Sequence, residues 1–477
     1  MSLRKNAVSG MMWTFAQQFG TQVTGFLVSI VLARILLPKE FGLIGMISVF
    51  VGIGNSLINS GLTNSLIRTS NPDQSDFSTV FFFNLIGSVF VYWILFFTAP
   101  LIAGFFSQPI LTEIIRVYCL SFIISAFSQV QMTKLTKEMN FKLQMTIAIP
   151  SLIGAGLLGI FLAYKGYGVW SLVWMSLFQS FLSTLQLWIR TGWAPSLIFD
   201  KVKFKYHFKF GYKLTLSGLL DTVFTNIYQI IIGRFFIAAD VGFYTRANTL
   251  TQLPVNNISG ALNKISYPLF ASIHDDEVRL KKAYKQIMQM VIFMIAPVLV
   301  IMGVLAEPLI RFLFTAKWMP AVPYFQILCV TGILYPLHAY NLNILNVKGR
   351  SDLFLKLEII KKVLVVIMIF ITLRFGIIGL IWGQLVSSIL AFLINTHYSG
   401  RFIKYNAWQQ AKDILPLIIW AFIAGIIVWS LDIELKNFRD ILRLLIGGSV
   451  GVVAYLGIAA LLKVESLHEF KKIILRR

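Results

Sequence analysis

The chain has 477 residues, of which 57% are hydrophobic and only 13% are charged, and its formal net charge is +22. Apolar runs of about 20 residues recur along it, the helix length that crosses the hydrocarbon core of a bilayer, so the composition excludes a water-soluble domain and predicts an all-α polytopic membrane protein. The basic residues are scattered over short links between these runs, so nucleic acid is not an expected partner.

Charged or Pro/Gly/Asn-rich breaks divide the apolar runs into fourteen candidate transmembrane spans. The first span lacks a small-residue cleavage signal, so we expect it to be retained and the protein to begin near Met1. The eighth is the least regular because Arg246, Asn248 and Pro254 interrupt it, and such a helix is tolerated at membrane depth only beside protein or water. The spans cover approximately residues 10–33, 41–62, 78–101, 111–133, 143–164, 168–189, 210–236, 241–262, 285–306, 321–345, 354–373, 376–398, 414–431 and 441–462.

An internal repeat divides these spans into two sets. Two stretches about 200 residues apart carry an arginine, an acid and a glycine in register: Arg34 and Arg234, Glu40 and Asp240, Gly42 and Gly242. A second internal similarity relates the segment YGVWSLVW before span six to FGIIGLIW before span twelve. Spans one to six therefore correspond to spans seven to twelve. Because six spans separate equivalent positions, the copies share one orientation and form parallel repeats.

The repeat and the basic residues together predict the domain organisation. We expect an N-terminal six-helix lobe at residues 1–192, a basic cytoplasmic linker at 193–209, a C-terminal six-helix lobe at 210–400, and two additional transmembrane helices with a cytoplasmic tail at 401–477. About 30 of the 42 Lys and Arg residues fall on the side that holds the N-terminus, which places both termini in the cytoplasm. The linker lysines are expected to lie against anionic membrane lipids.

Polar residues follow one helical face in the first span and in its counterpart, the seventh. They are Gln18, Thr21, Gln22, Gly25 and Ser29 in the first, and Gly218, Asp221, Thr222, Thr225 and Gln229 in the seventh. Spacings of three and four residues place each set on a single stripe. A polar stripe is costly in lipid unless it faces protein or water, so the two stripes predict two half-domains that line one transport path.

Several short motifs point to a known family. They are LARILLPKEFG ending at Gly42, NSGLTNSL ending at Leu66, GFYTR ending at Arg246, Tyr267-Pro268, Lys317-Trp318 and GRSD ending at Asp352. Together they resemble the polysaccharide flippase branch of the multidrug/oligosaccharidyl-lipid/polysaccharide exporter superfamily. The resemblance implies a V-shaped alternating-access transporter in the bacterial inner membrane, with a lipid-linked oligosaccharide as substrate. It does not select among O-antigen, colanic acid and teichuronic acid intermediates.

A polyprenyl diphosphate glycan presents an anionic diphosphate and a hydrophilic glycan, so its path requires cations and amide or hydroxyl groups. The candidate cations are Arg34, Arg116, Arg234 and Arg246, and the candidate polar groups are Gln18, Gln22, Thr225, Asn226 and Gln229. A structural alternative stays open for all four arginines. Arg34 and Arg234 can pair with the acid six residues on or extend to the membrane interface, and Arg116 can pair with Glu113.

Asp221 is the candidate for ion coupling, because the span assignment places its carboxyl group near the middle of the seventh membrane helix. Desolvation disfavours a charged carboxylate there, so the group can exchange a proton or Na⁺ as the site opens to either side. The alternative is an aspartate that only holds spans together. The first copy has Thr21 at the equivalent position, which would assign coupling to the second copy.

Other chemistry is not indicated. No G-x-x-x-x-G-K-[ST] run is present, so we expect no nucleotide cofactor, and the five histidines lack metal-ligand spacing, so we expect no metal site. The two cysteines fall within apolar spans, and we expect no disulfide.

We predict a secondary transporter rather than an enzyme. It would be driven by H⁺ or Na⁺ and act beside a polysaccharide polymerase and glycosyltransferases. A multidrug or cation antiporter on the same architecture is the first alternative, and it would favour acidic residues in its cavity. A membrane-embedded glycan polymerase or ligase is the second, and it would need a longer outward loop than the candidate from Asp432 to Asp440.

Overall fold

The structure is a computed structural model that describes residues 3–59 and 61–469. The predicted start near Met1 and the end of the predicted cytoplasmic tail, residues 470–477, lie outside this range. The regular structure of the described residues is helical, with eighteen α-helices and two short 3-10 turns. The residues divide into two compact units, Met1–Gly242 and Phe243–Arg477.

The first unit contains ten complete helices. They are α1 (Leu3–Ile35), α2 (Pro38–Asn59), α3 (Leu62–Arg68), α4 (Gln74–Phe105), α5 (Leu111–Tyr118), α6 (Leu120–Lys137), α7 (Phe141–Tyr164), α8 (Val169–Thr191), α9 (Lys201–Thr225) and α10 (Ile227–Phe235). Helix α7 packs between α1 and α8. Small residues permit this packing, since a Cβ on Gly156 would lie 2.5 Å from Val28 of α1 and one on Gly159 would lie 2.9 Å from Met175 of α8.

The second unit contains the remaining helices, the first of which begins just before the boundary. They are α11 (Ala238–Ser272), α12 (Glu277–Val304), α13 (Ala306–Phe314), α14 (Ala321–Val347), α15 (Ser351–Thr372), α16 (Gly376–Ile403), α17 (Ala407–Glu434) and α18 (Asp440–Leu461). The 3-10 turns Ala316–Trp318 and Leu373–Phe375 precede α14 and α16. Helix α12 is central to this unit, because it packs against α14, α16, α17 and α18.

Local sequence explains where several helices begin. Pro38 opens α2 at a position where a missing N–H costs nothing, and the Glu40 carboxylate accepts a hydrogen bond from the Leu37 N–H at 2.6 Å. Asp73 and Asp76 form a capping box at the start of α4, in which each side chain accepts from the backbone of the other. These bonds satisfy N–H groups that a helix leaves unpaired in its first turn.

The predicted class, an all-α polytopic membrane protein, is confirmed. Within the part of the chain that the structure describes, eleven stretches are long and apolar enough to span a membrane, or up to twelve if the bent pair α9 and α10 is one span, by length and composition. One of the eleven, Ser351–Ile403, contains both α15 and α16. Helix α11 is not among them, because polar residues interrupt it as the sequence indicated. Helical structure occurs at each predicted span, but the number of fourteen spans stays a prediction.

The compact units divide at Gly242, after α10, whereas the predicted linker between six-helix lobes lies at residues 193–209. The reason is packing. Helix α9 lies against α2, α3 and α4, and α10 lies against α2, so both belong to the first unit. The division into repeat-related lobes stays a prediction.

Candidate functional site

The seventh predicted span is broken in the structure. Helices α9 and α10 meet at Asn226 with a bend of 47°. The Asn226 side-chain amide donates to the Thr222 carbonyl oxygen at 2.8 Å, and the Thr222 hydroxyl lies 3.0 Å from that of Ser56 on α2. Gln229 lies one turn beyond the break, and its buried Oε1 has no hydrogen-bond partner among the described residues. Non-helical backbone at membrane depth is tolerated beside protein or a water-filled cavity, so the break marks a candidate site.

The other predicted residues of the two polar stripes have mixed exposure. Gln18 on α1 and Thr225 on α9 are exposed, and Gln22 is half-buried. Asp221 lies on α9 and is exposed, so the structure does not enclose the carboxyl group predicted to couple ion movement. Its coupling role stays a prediction, as does the substrate role of the glutamines.

Two of the candidate arginines bind carbonyl oxygens of the same helix, α4. The Arg116 Nε donates to the Phe96 carbonyl at 3.3 Å, and Arg234 Nη1 donates to the Phe105 carbonyl at 2.6 Å. Neither carbonyl has a helical partner, because Pro100 lacks the N–H that would bind Phe96 and because Phe105 is the last residue of α4. Each guanidinium also lies over the ring of the same phenylalanine, 4.3 and 5.3 Å from its centroid.

These contacts bear on the structural alternatives. Arg116 and Glu113 form no ion pair within the part of the chain that the structure describes, and Arg116 is held by Phe96 instead. Arg234 is exposed apart from its contact with Phe105. Arg34, at the end of α1, is also exposed. A guanidinium has five N–H donors, so one bond to a carbonyl leaves donors that an anionic group can use.

Arg246 lies in the second unit, on α11, and is half-buried. Its guanidinium stands 5.7 Å from the ring centroid of Phe314 and 5.8 Å from that of Trp318, which is fully buried. The structure therefore brings together two motifs that were quoted separately from the sequence, GFYTR and Lys317-Trp318.

The glycines matched by the repeat, Gly42 and Gly242, pack against each other in the first unit. A Cβ on Gly42 would overlap the carbonyl oxygen of Ala238, and a Cβ on Gly242 would overlap that of Pro38. Pro38 and Ala238 are the first residues of α2 and α11, so the contact is reciprocal between equivalent positions. Backbones approach this closely only where side chains are missing.

A buried polar network joins α3, α4 and α9, and the sequence analysis missed it. The His207 ring is fully buried, with Nδ1 2.8 Å from the Ser65 hydroxyl and Nε2 3.1 Å from an Asp76 carboxylate oxygen. Lys203, one turn earlier on α9, binds both Asp76 and Asp73. The Lys203 hydrogen bond lowers the pKa of Asp73 to about 2. The network lies on the side predicted to be cytoplasmic.

The order of contacts from Ser65 through His207 to Asp76 is that of a hydrolase triad, but burial argues against catalysis. Ser65 is 2% exposed and His207 is 0% exposed, so no substrate carbonyl reaches the hydroxyl. A close approach of α3 and α9 encloses the network, since a Cβ on Gly61 would lie 2.6 Å from the Gly211 backbone. We interpret the network as structural, holding α3, α4 and α9 together.

Replacing His207 with leucine should destabilise the folded protein by about 1–3 kcal/mol, because it leaves the Asp76 oxygen and the Ser65 hydroxyl buried without this partner. The change is measured as a lower midpoint of thermal unfolding in detergent micelles. His274→Leu is the matched control, because His274 is exposed. Equal midpoints for the two variants would show that the buried network contributes nothing to stability.

Among the described residues, no group of three or more His, Cys, Asp or Glu side chains is placed to hold a metal ion. Cys119 and Cys329 are both buried and are free thiols.

The chain shares its fold with a solved membrane transporter. The chain superposes on a solved structure of the lipid II flippase MurJ in an inward closed conformation with a TM-score of 0.76, covering 95% of this chain and 99% of that one. At 14% identity this similarity shows the fold alone.

The family follows from sequence comparison. A family model described as polysaccharide biosynthesis protein matches residues 31–323, more than half of the chain, and the protein belongs to that family. The teichuronic acid biosynthesis protein TuaB of Bacillus subtilis (strain 168) is 25% identical over 481 residues, covering 100% of this chain and 99% of TuaB. The lipopolysaccharide biosynthesis protein WzxC of Escherichia coli (strain K12) is 24% identical over 446 residues, covering 90% and 89%. The resemblance read from the motifs is confirmed.

Proposed function

We propose that this protein is a secondary transporter that flips a lipid-linked oligosaccharide across the bacterial inner membrane for surface polysaccharide synthesis. The observation that carries the proposal is the agreement of two independent similarities over nearly the whole chain. The relatives in sequence are named for synthesis of surface polymers, and the similar fold is that of a flippase for a lipid-linked sugar. A transporter rather than an enzyme fits both.

The proposed architecture has fourteen spans, arranged as two parallel six-helix repeats and two further helices, with both termini in the cytoplasm. Two observations support it. Helices α15 and α16 pack against each other, so the stretch Ser351–Ile403 supplies two spans rather than one. The reciprocal contact of Gly42 and Gly242 is expected where two repeats meet about an axis along the membrane normal. Alternating access then requires the two repeats to rock about a V-shaped opening.

In this proposal the arginines bind the diphosphate, and the polar groups at the break of α9 and α10 contact the glycan. Arg116, Arg234 and Arg246 each lie against an aromatic ring, and a guanidinium held in this way is the group that we propose contacts the phosphates. The proposed partners are the polyprenyl diphosphate glycan, a coupling ion, and the polymerase and glycosyltransferases that use and make the glycan.

The test is complementation of a strain that lacks this protein. We expect loss of surface polymer with accumulation of its lipid-linked precursor, and rescue by the wild type. Arg246→Ala should lower surface polymer about tenfold at normal protein level, because a charge-assisted hydrogen bond contributes about 1.5–3 kcal/mol, whereas Arg246→Lys should retain part of it.

Arg279→Ala is the matched control, because Arg279 is exposed at the start of α12, and it should export like the wild type. Unchanged surface polymer in the strain without the protein, together with new sensitivity to cationic drugs, would identify a drug antiporter instead. Wild-type export by Arg246→Ala would remove that residue from the substrate path.

A further inference from the structure

A polar cluster, part buried and part half-buried, lies between α14 and α16 in the second unit and contains none of the residues proposed to bind the substrate. The His338 Nε2 on α14 lies 2.9 Å from the Ser388 hydroxyl on α16, and the His338 Nδ1 lies 3.4 Å from the Asn395 side-chain nitrogen. Both helices belong to candidate membrane spans. We call His338, Ser388 and Asn395 the His338 cluster. A titratable side chain at membrane depth is costly, so its presence needs a reason.

Asn395 has an unsatisfied polar atom. The residue is 0% exposed, and its Oδ1 has no hydrogen-bond partner among the described residues. A buried acceptor without a donor is destabilising. The amide nitrogen of Asn395 points at the His338 ring, and the orphaned oxygen is the other polar atom of the same amide.

The chemistry of imidazole explains this arrangement. A neutral ring has one donor and one acceptor, and here Nε2–H donates to Ser388 while Nδ1 accepts from the Asn395 amide. A ring with a second proton has two donors. A half-turn of the Asn395 amide then presents Oδ1 to the new Nδ1–H. The same three side chains thus satisfy the ring in both charge states, and the orphaned oxygen gains a donor whenever Nδ1 carries a proton.

Charged groups stand beside the cluster. Helix α15 packs against α14 and α16, and the charge of its Lys361 acts on the His338 ring. Lys361 pairs with Glu358 on the same helix at 2.5 Å, and both side chains are largely buried. The other packed helices carry their charges towards their ends, such as Glu277 to Lys285 on α12. A cation near an imidazole disfavours a second proton on its ring.

We propose that the His338 cluster is a proton-binding site that couples proton movement to transport. The proton from water binds Nδ1, the Nε2–H bond to Ser388 is kept, the new Nδ1–H donates to Asn395 Oδ1, and release reverses these steps. This inference rests on the proposed function and deepens it by naming the coupling ion as a proton. His338 is half-buried rather than sealed, so the ring is not closed off from water.

The first experiment measures proton binding directly, without any transport assay. The protein labelled with ¹⁵N-histidine is titrated by NMR in lipid nanodiscs, and His338→Gln identifies the His338 signal. Lys361→Met should raise the pH at which the ring takes up its proton by about one unit, because a neighbouring positive charge is removed. Asn395→Leu should lower it, because the acceptor for Nδ1–H is lost. His397→Gln is the control, because His397 is exposed and should leave the His338 signal unchanged.

The second experiment measures export in cells. His338→Gln keeps a donor for Ser388 but binds no proton, so surface polymer should fall about tenfold and lose its dependence on external pH, at normal protein level and unfolding midpoint. A His338 ring that stays neutral throughout the titration, or that ignores Lys361→Met, overturns the proposal while the flippase function stands. If the ring titrates as expected but the protein has no effect on surface polymer, the proton site stands and the proposed function is overturned.

Discussion

Replacing Gly42 with alanine should destabilise the folded protein by about 1–3 kcal/mol, the usual cost of overpacking. Alanine normally stabilises a helix relative to glycine by about 1 kcal/mol, so the expected sign is the reverse of the ordinary one. The reason is that the new Cβ would overlap the carbonyl oxygen of Ala238, a backbone atom that no side-chain rotamer can move aside. The measurement is the midpoint of thermal unfolding of the purified protein in detergent micelles.

The chain offers a reciprocal variant and a matched control. Gly242→Ala should destabilise similarly, because its Cβ would overlap the carbonyl oxygen of Pro38. Gly87→Ala on α4 should be neutral or slightly stabilising, because no atom lies within 4 Å of the added Cβ. If Gly42→Ala and Gly87→Ala unfold at the same temperature, the close approach of α2 and α11 is not a constraint on the fold.

The membrane helices could be predicted because hydrophobic length determines them. A run of about 20 apolar residues has no stable alternative to a helix in lipid, and helical structure lies at each predicted position. The break at Asn226 could not be predicted, because it contains neither proline nor glycine and depends on the asparagine amide satisfying the Thr222 carbonyl. A single sequence does not show which backbone groups a side chain will satisfy.

The repeat predicted which residues correspond, but not which of them touch. Gly42 and Gly242 were matched by register, and only the structure shows that they pack on each other. The sequence left Arg234 able to pair with the acid six residues on or to extend to the membrane interface, and in the structure it binds the Phe105 carbonyl of α4. A free carbonyl could have been expected at Phe96 from Pro100 four residues on, but its donor, Arg116, is twenty residues away along the chain.

The histidines show most clearly what a single sequence does not predict. His207 and His338 were judged only by their spacing from other metal ligands along the chain, and that spacing indicated no role for either residue. The two hydrogen-bond partners of His207 lie 142 and 131 residues away along the chain, and the two partners of His338 lie 50 and 57 residues away. Helical periodicity shows which face of a helix is polar, whereas the partner of that face is set by packing between helices.

Replacing Arg443 with methionine should destabilise the protein by about 3–5 kcal/mol, because it leaves a buried carboxylate without its partner. Arg443 on α18 is 2% exposed, and its Nε and Nη2 donate to the two Asp432 oxygens of α17 at 2.9 and 2.7 Å. Asp440 lies 3.7 Å from Arg443 and also binds Arg311 of α13, so the pair belongs to a network that joins three helices. The measurement is again the thermal unfolding midpoint in detergent micelles.

A double variant separates the cost of a stranded charge from the value of the ion pair. Arg443→Met with Asp432→Leu should recover most of the lost stability, because replacing a buried ion pair by apolar side chains is often neutral or stabilising, whereas removing one partner is not. Arg439→Met is the matched control, since Arg439 is exposed immediately before α18 and should change stability little. If the double variant is no more stable than Arg443→Met alone, the carboxylate of Asp432 is not what the arginine stabilises, and the network holds the three helices through Asp440 instead.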